Sequence, residues 1–185
     1  MPLFELEADH GWLKEVRRVP SPNCDARPAD ARISLLVIHG ISLPPGQYGG
    51  PYIDQLFTNT LNPDEHPYFR EIQNLHVSSH LMINRQGAVT QYVPFNKRAW
   101  HAGESEFGGR KACNDFSIGI ELEGCDEQPY ERGQYEVLAK VTKVLTNCWK
   151  DIERDRIVGH CDVAPGRKTD PGAAFEWEYF FRLLV

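Results

Sequence analysis

No stretch of the sequence approaches the roughly 20 consecutive apolar residues that a membrane-crossing helix needs, so a transmembrane helix is excluded at the outset. Basic clusters are also missing. Lys and Arg never run longer than a pair such as Arg17-Arg18, and the formal charge is -6 with a pI near 5.6. Nucleic-acid binders need a basic field to release counterions, so neither nucleic acid nor membrane is expected as a partner. An even, regularly spaced cysteine set is absent too. Cys24, Cys113, Cys125, Cys148 and Cys161 are five residues at irregular spacings, which fits free thiols in a reducing compartment rather than a disulfide framework. The first ten residues carry acids where a secretory signal needs a positive flank and an apolar core, and a cytoplasmic protein is expected. Repeats, linkers and low-complexity tracts are lacking, so nothing divides the 185 residues, and 41% hydrophobic content suffices for one packed core. The expectation is a single domain over 1–185 with its core over about 31–180.

What the chain does contain is short apolar runs set between Gly- and Pro-rich segments. The opening segment to Ala31 is polar, holds Pro20, Pro22 and Pro28, and reads as loop wrapping the surface. Ser34 to Gly40 then forms a continuous apolar run of strand length, the pattern of a strand buried on both faces, with His39 near its end. After a turn-rich stretch, Tyr52 to Leu61 reads as a short helix. A second loop with Pro63 and Pro67 precedes two strands, Ser78 to Asn84 and Ala88 to Val93, joined as a hairpin by Arg85-Gln86-Gly87. Ser117 to Glu123 alternates: Ile118, Ile120 and Leu122 face one way, Gly119, Glu121 and Glu123 the other. Apolar residues recur every three or four positions from Arg132 to Trp149, an amphipathic helix. Arg156 to Val158 reads as a strand leading to His160, and Phe175 to Val185 as a final helix. Strands mixed with packing helices predict an α/β (α+β) domain on one central mixed β-sheet flanked by helices. Its long loops are of the kind that carry function.

Candidate chemistry concentrates in Gly159 to Gly172, where a histidine, two carboxylates, a thiol and a lysine share a loop braced by prolines and glycines. A stiff backbone suits a preorganised site. A catalytic zinc keeps three protein ligands and one position for water, and His39, His160 and Asp170 supply that count. Cys161 and Asp162 are rival ligands. Cys161 directly follows His160, and neighbours in an extended chain point to opposite faces, so the pattern favours Asp170. Lys168, two residues before Asp170, would project to the same side of an extended segment, where an ammonium can stabilise an oxyanion. Amide hydrolysis also needs a group that takes a proton from water and returns it to the leaving nitrogen; Glu121 and Glu123 share a strand face, and spacing alone does not choose between them. Trp100 opens a loop beside Gly103 and offers a ring for stacking on a sugar. His101 is an alternative third ligand, in which case Asp170 would stand behind the metal.

These pieces, in this order, resemble the zinc-dependent N-acetylmuramoyl-L-alanine amidases related to peptidoglycan-recognition proteins. The resemblance is carried by Leu36-Val37-Ile38-His39, Ser42-Leu43-Pro44-Pro45-Gly46, His66-Pro67-Tyr68-Phe69 and Arg98-Ala99-Trp100-His101-Ala102-Gly103. Two longer stretches, Cys113 to Gly124 and Gly159 to Gly172, complete it. It is nearest the cytosolic members that recycle cell-wall fragments. The resemblance implies Zn2+ on His39, His160 and Asp170, Glu121 as general base and Lys168 as transition-state stabiliser. Trp100, His101 and Tyr68 are candidate substrate contacts. The implied substrate is a 1,6-anhydro-N-acetylmuramyl peptide, cut between the lactyl group and L-alanine by a monomer, with consequent loss of a muropeptide that induces β-lactamase in some bacteria. The same fold also serves lytic amidases acting on intact wall and modules that bind muropeptides without cutting them. Two positions depart from the family's frequent pattern: Gly40 stands where Asn is common, and Ala112 where a basic residue is common.

Overall fold

The alternation in Ser117 to Glu123 sets how the chain is layered. In the computed structural model, which describes residues 4–7 and 11–185, a six-stranded mixed sheet is built from β1 (Arg17–Arg18), β2 (Leu35–Ile41), β3 (Leu81–Ile83), β4 (Val89–Gln91), β5 (Ser117–Glu123) and β6 (Ile157–Gly159). Residues 1–3 and 8–10, part of the acidic stretch on which the signal-peptide reading rests, lie outside the described residues. Strand order is β6-β2-β5-β3-β4-β1, parallel throughout except for the antiparallel pair β3-β4. The hairpin expected around Arg85-Gln86-Gly87 is that pair, with Leu81 opposite Gln91.

Leu36 and Ile38 of β2 and Ile118, Ile120 and Leu122 of β5 pack into one core with Tyr135, Leu138, Val141 and Leu145 of the long helix α3 (Arg132–Cys148). The helix follows from its sequence. Its apolar residues fall on one face, and at its start the Gln134 side chain accepts from the Glu131 backbone N–H at 3.0 Å. The final helix (Trp177–Leu183) packs on the same side through Phe180. On the opposite face of the sheet, short helices α1 (Tyr52–Phe57) and α2 (Pro67–Ile72) close a second core around Phe57, Phe69 and Tyr92. Among the described residues no helix is long and apolar enough to cross a membrane.

Three expectations need correction. Helix α1 stops at Phe57 rather than Leu61, because Asn59 takes a left-handed conformation, φ 60°, that ends the helix. The segment around Pro67 is a helix rather than loop. His66 caps it, its Nδ1 accepting from the Tyr68 N–H at 3.2 Å, and Pro67 occupies the first turn, where a missing N–H costs nothing. The stretch before Ala31 is not all loop: Arg17–Arg18 adds to the sheet edge beside Thr90 and Gln91. All seven residues of β5 are buried, its polar face included.

Candidate metal centre and active site

Odd-numbered residues of β2 and β5 point away from α3, and parallel register sets His39 directly beside Glu121. Strand β6 pairs with β2 so that Gly159 lies beside Ile38, and the chain then turns into a single helical turn, His160–Val163. Three parallel strands therefore end at one edge and deliver His39, Glu121 and His160 there, the edge of an open α/β sheet where ligand sites form. Asp170 is brought back to the same place because the Cys161 N–H donates to its carbonyl at 3.0 Å.

The result is a triangle of donor atoms. His39 Nδ1 lies 3.0 Å from His160 Nδ1 and 3.2 Å from Asp170 Oδ2, and His160 Nδ1 lies 3.1 Å from Asp170 Oδ2. Among the described residues this is the one grouping of three His, Cys, Asp or Glu donors close enough to share a metal ion. The His160 tautomer follows from its other nitrogen. Nε2 lies 3.2 Å from the Ala102 carbonyl, which only accepts, so Nε2 carries the proton and Nδ1 keeps its lone pair. Lone pairs converging on a carboxylate oxygen at such distances repel unless a proton or cation lies among them. Tetrahedral zinc, with ligand distances of about 2.0–2.2 Å, places neighbouring donors about 3.3 Å apart. Two imidazoles and one carboxylate are also a donor set that suits zinc, so the residues present fit the ion.

Electrostatics agree with that chemistry. Burial pushes the His39 imidazole down to about 4, against the pull of Asp170, so it is neutral at pH 7, as a ligand must be. Burial favours the neutral form of Asp170, but its close contacts with His160 and His39 outweigh that and hold the carboxyl far below the usual range, which requires a shared proton or cation among the three donors. Glu121 is 8% exposed and makes no hydrogen bond or ion pair among the described residues. Burial, and then the Asp170 carboxylate, raise its carboxyl well above the usual range, while the Lys168 ammonium pulls it back. Lys168 is exposed, yet its charge reaches both Glu121 and His39.

Geometry also separates the alternatives that spacing left open. Glu123 is tied up by the Gly49 N–H at 2.6 Å and the Arg85 N–H at 3.0 Å, clamping two loops. Asp162 accepts from the Gly159 N–H at 2.7 Å and caps the turn that carries His160. Cys161 sits on that turn rather than in extended chain, so opposite faces are not what keeps it out; its sulfur simply does not join the triangle. His101 stands outside the donor triangle. It lies behind His39, 8% exposed, with Nδ1 2.9 Å from His39 Nε2 and Nε2 3.0 Å from Ser117 Oγ. Tyr68 packs on the apolar cluster around α1 and α2. Trp100 is half-buried, its backbone N–H donating to Ser78 Oγ at 3.1 Å.

Supporting residues that sequence reasoning missed are Tyr130, Asn114 and Arg167. A Cβ on Gly40 or on Gly124 would collide with the Tyr130 side chain, whose hydroxyl donates to the Pro171 carbonyl at 2.8 Å, beside Asp170. The departure at Gly40 is thus matched to a buried tyrosine. Gly40→Ala is expected to destabilise the fold by about 1–3 kcal/mol through overpacking, measured by chemical denaturation, and the penalty should shrink in a Tyr130→Ala background. Ala112 is exposed and holds a left-handed backbone, φ 59°, just before the turn at Cys113–Asp115.

Residues 29–173 match the family model of N-acetylmuramoyl-L-alanine amidases. The chain is 58% identical over 177 residues to the 1,6-anhydro-N-acetylmuramyl-L-alanine amidase AmpD of Escherichia coli K12, covering 96% of both chains. A crystal structure of a selenomethionine AmpD derivative superposes with a TM-score of 0.93 at 56% identity, over 96% of this chain and 98% of that one. The amidase AmiD of Escherichia coli, solved as a complex with the substrate anhydro-N-acetylmuramic acid-L-Ala-D-γ-Glu-L-Lys, gives a TM-score of 0.61 at 29% identity, over 87% of this chain and 61% of that one.

Proposed function

Because the chain belongs to the N-acetylmuramoyl-L-alanine amidase family, we propose that it hydrolyses the lactyl-L-alanine amide of 1,6-anhydro-N-acetylmuramyl peptides, as a Zn2+ enzyme of cell-wall recycling in the cytoplasm. The observation that carries the reading is the 3.0–3.2 Å triangle of His39, His160 and Asp170 beside the unpartnered Glu121 carboxyl. The full-length similarity to AmpD supports the substrate. In a host with an inducible β-lactamase, the same cut removes the inducing muropeptide.

His39 Nδ1, His160 Nδ1 and Asp170 Oδ2 would hold the ion. When bound, it supplies Lewis-acid polarisation of the scissile carbonyl and a water of lowered pKa. Glu121 takes the proton of the attacking water on a carboxylate oxygen and returns it to the departing alanine nitrogen, a role that its burial favours by holding the acid form within reach. The Lys168 ammonium faces the negative charge that develops on the carbonyl oxygen. Lys168→Ala should lower kcat by about 10²–10³-fold, the range for loss of one such donor, with zinc content unchanged; an unchanged kcat would remove Lys168 from the mechanism.

Mass spectrometry of products from a soluble 1,6-anhydromuropeptide tests the whole reading. Expected are the free anhydro sugar and a peptide beginning with L-alanine. A zinc-loaded protein that binds the muropeptide without cutting it would be a recognition module. Faster release from intact sacculi than from the soluble fragment would make it a lytic amidase.

A further inference from the structure

The nitrogens that His39 and His160 turn away from the triangle both end on consecutive residues of one loop. His39 Nε2 meets His101 Nδ1 at 2.9 Å, and His160 Nε2 meets the Ala102 carbonyl at 3.2 Å. That loop is itself held. The backbone N–H groups of His101 and Ala102 both donate to Asn114 Oδ1, at 3.2 and 2.8 Å. The Arg167 guanidinium donates to the carbonyls of Ala102 and Glu104 at 2.6 Å each, which ties the segment leading to Asp170 to the same backbone. The His101 ring sits against β5 because Gly119 leaves room: a Cβ there would come to 2.5 Å from His101 Cγ.

Hydrogen-bond direction makes His101 decisive. For His39 to offer Nδ1 to a metal, its proton must sit on Nε2, and His101 Nδ1 must accept it. The proton of His101 is then on Nε2, pointing at Ser117 Oγ 3.0 Å away. Without an acceptor at position 101, His39 is free to place its proton on Nδ1, where Asp170 Oδ2 accepts it at 3.2 Å. That tautomer occupies the very nitrogen the ion requires. The Ala102 carbonyl removes the same ambiguity for His160. Groups behind metal ligands commonly fix tautomer and orientation in this way.

We propose that His101 and the Ala102 carbonyl, aligned by the Asn114 side chain, are the positioning groups that select the metal-binding tautomers of His39 and His160. The proposal rests on the reading that the triangle holds Zn2+.

The test is the zinc dissociation constant, measured by chelator competition on the full chain as wild type, His101→Leu, His101→Asn and Asn114→Ala. Far-UV circular dichroism of the metal-free forms serves as the fold control. His101→Leu fills similar space without an acceptor and should weaken zinc about 10–100-fold. His101→Asn restores an acceptor oxygen near the position of Nδ1 and should recover most of that loss. Asn114→Ala, which touches no ligand, should weaken zinc toward the lower end of the same range of about 10-fold. Wild-type affinity in His101→Leu, or equally weak binding in His101→Asn and His101→Leu, would overturn the proposal. If His101→Leu does not fold, the comparison of His101→Asn with Asn114→Ala decides, and wild-type affinity in Asn114→Ala overturns it. A wild-type protein that takes up no stoichiometric zinc would instead overturn the metal reading itself.

Discussion

Asp170→Ala is expected to abolish stoichiometric Zn2+ binding and, with it, turnover. The substitution removes the one anionic donor from a three-donor set, so its effect on affinity should exceed the roughly 100-fold ceiling typical for loss of a partner standing behind a ligand. The loop should survive the change. Its anchor to the helical turn is the Cys161 N–H bonded to the Asp170 backbone carbonyl, which alanine retains, and Lys168 N–H is held separately by the Ala164 carbonyl at 3.0 Å. Cys161→Ser is the matched control, since the thiol lies outside the triangle, and it should keep zinc in full. Metal analysis of both variants after dialysis decides the matter: zinc retained in Asp170→Ala at wild-type affinity would refute the ligand assignment.

Sequence reading was strong on the central strands and ran out at what covers them. The apolar run before His39 and the alternation through Glu121 marked two central strands, and their residues indeed face the sides that period two dictates. Periodicity does not say what covers a face. The loops that bury the polar side of β5, around Trp100 and after His160, have no period of their own. Glu121 and Glu123 were therefore equivalent in the sequence. They part only when folding brings Gly49 and Arg85 to Glu123 and leaves Glu121 beside His39. His101 was legible as a functional residue but not as a supporting one. Its place behind His39 depends on Gly119, 18 positions further along the chain, being too small to displace its ring. The edge strand Arg17–Arg18 carried no signal at all, since two residues make no pattern and their partners lie more than 70 positions away.

Glu121→Gln should separate binding from chemistry. The amide is nearly the size of the acid, so the cavity beside His39 stays filled and zinc stoichiometry is expected to be unchanged. An amide cannot take a proton from water at neutral pH, and loss of a positioned general base typically costs about 10²–10⁴-fold in rate, so kcat should fall within that range while the anhydromuropeptide still binds. Unchanged turnover would dismiss the role. A second consequence concerns stability and has the opposite sign. Burial raises the Glu121 carboxyl above its unfolded value, and a group raised in this way stabilises the fold least once pH has climbed through its folded pKa, because the native state must then keep a proton or bury a charge. In the metal-free protein, Glu121→Gln should accordingly be more stable than wild type at neutral pH. The gap should close as pH falls below the ordinary carboxylate range of about 4.3, where both forms are neutral in folded and unfolded chains alike. A gain in stability paired with a loss of turnover at one side chain is the pattern of a residue kept for chemistry at the expense of the fold.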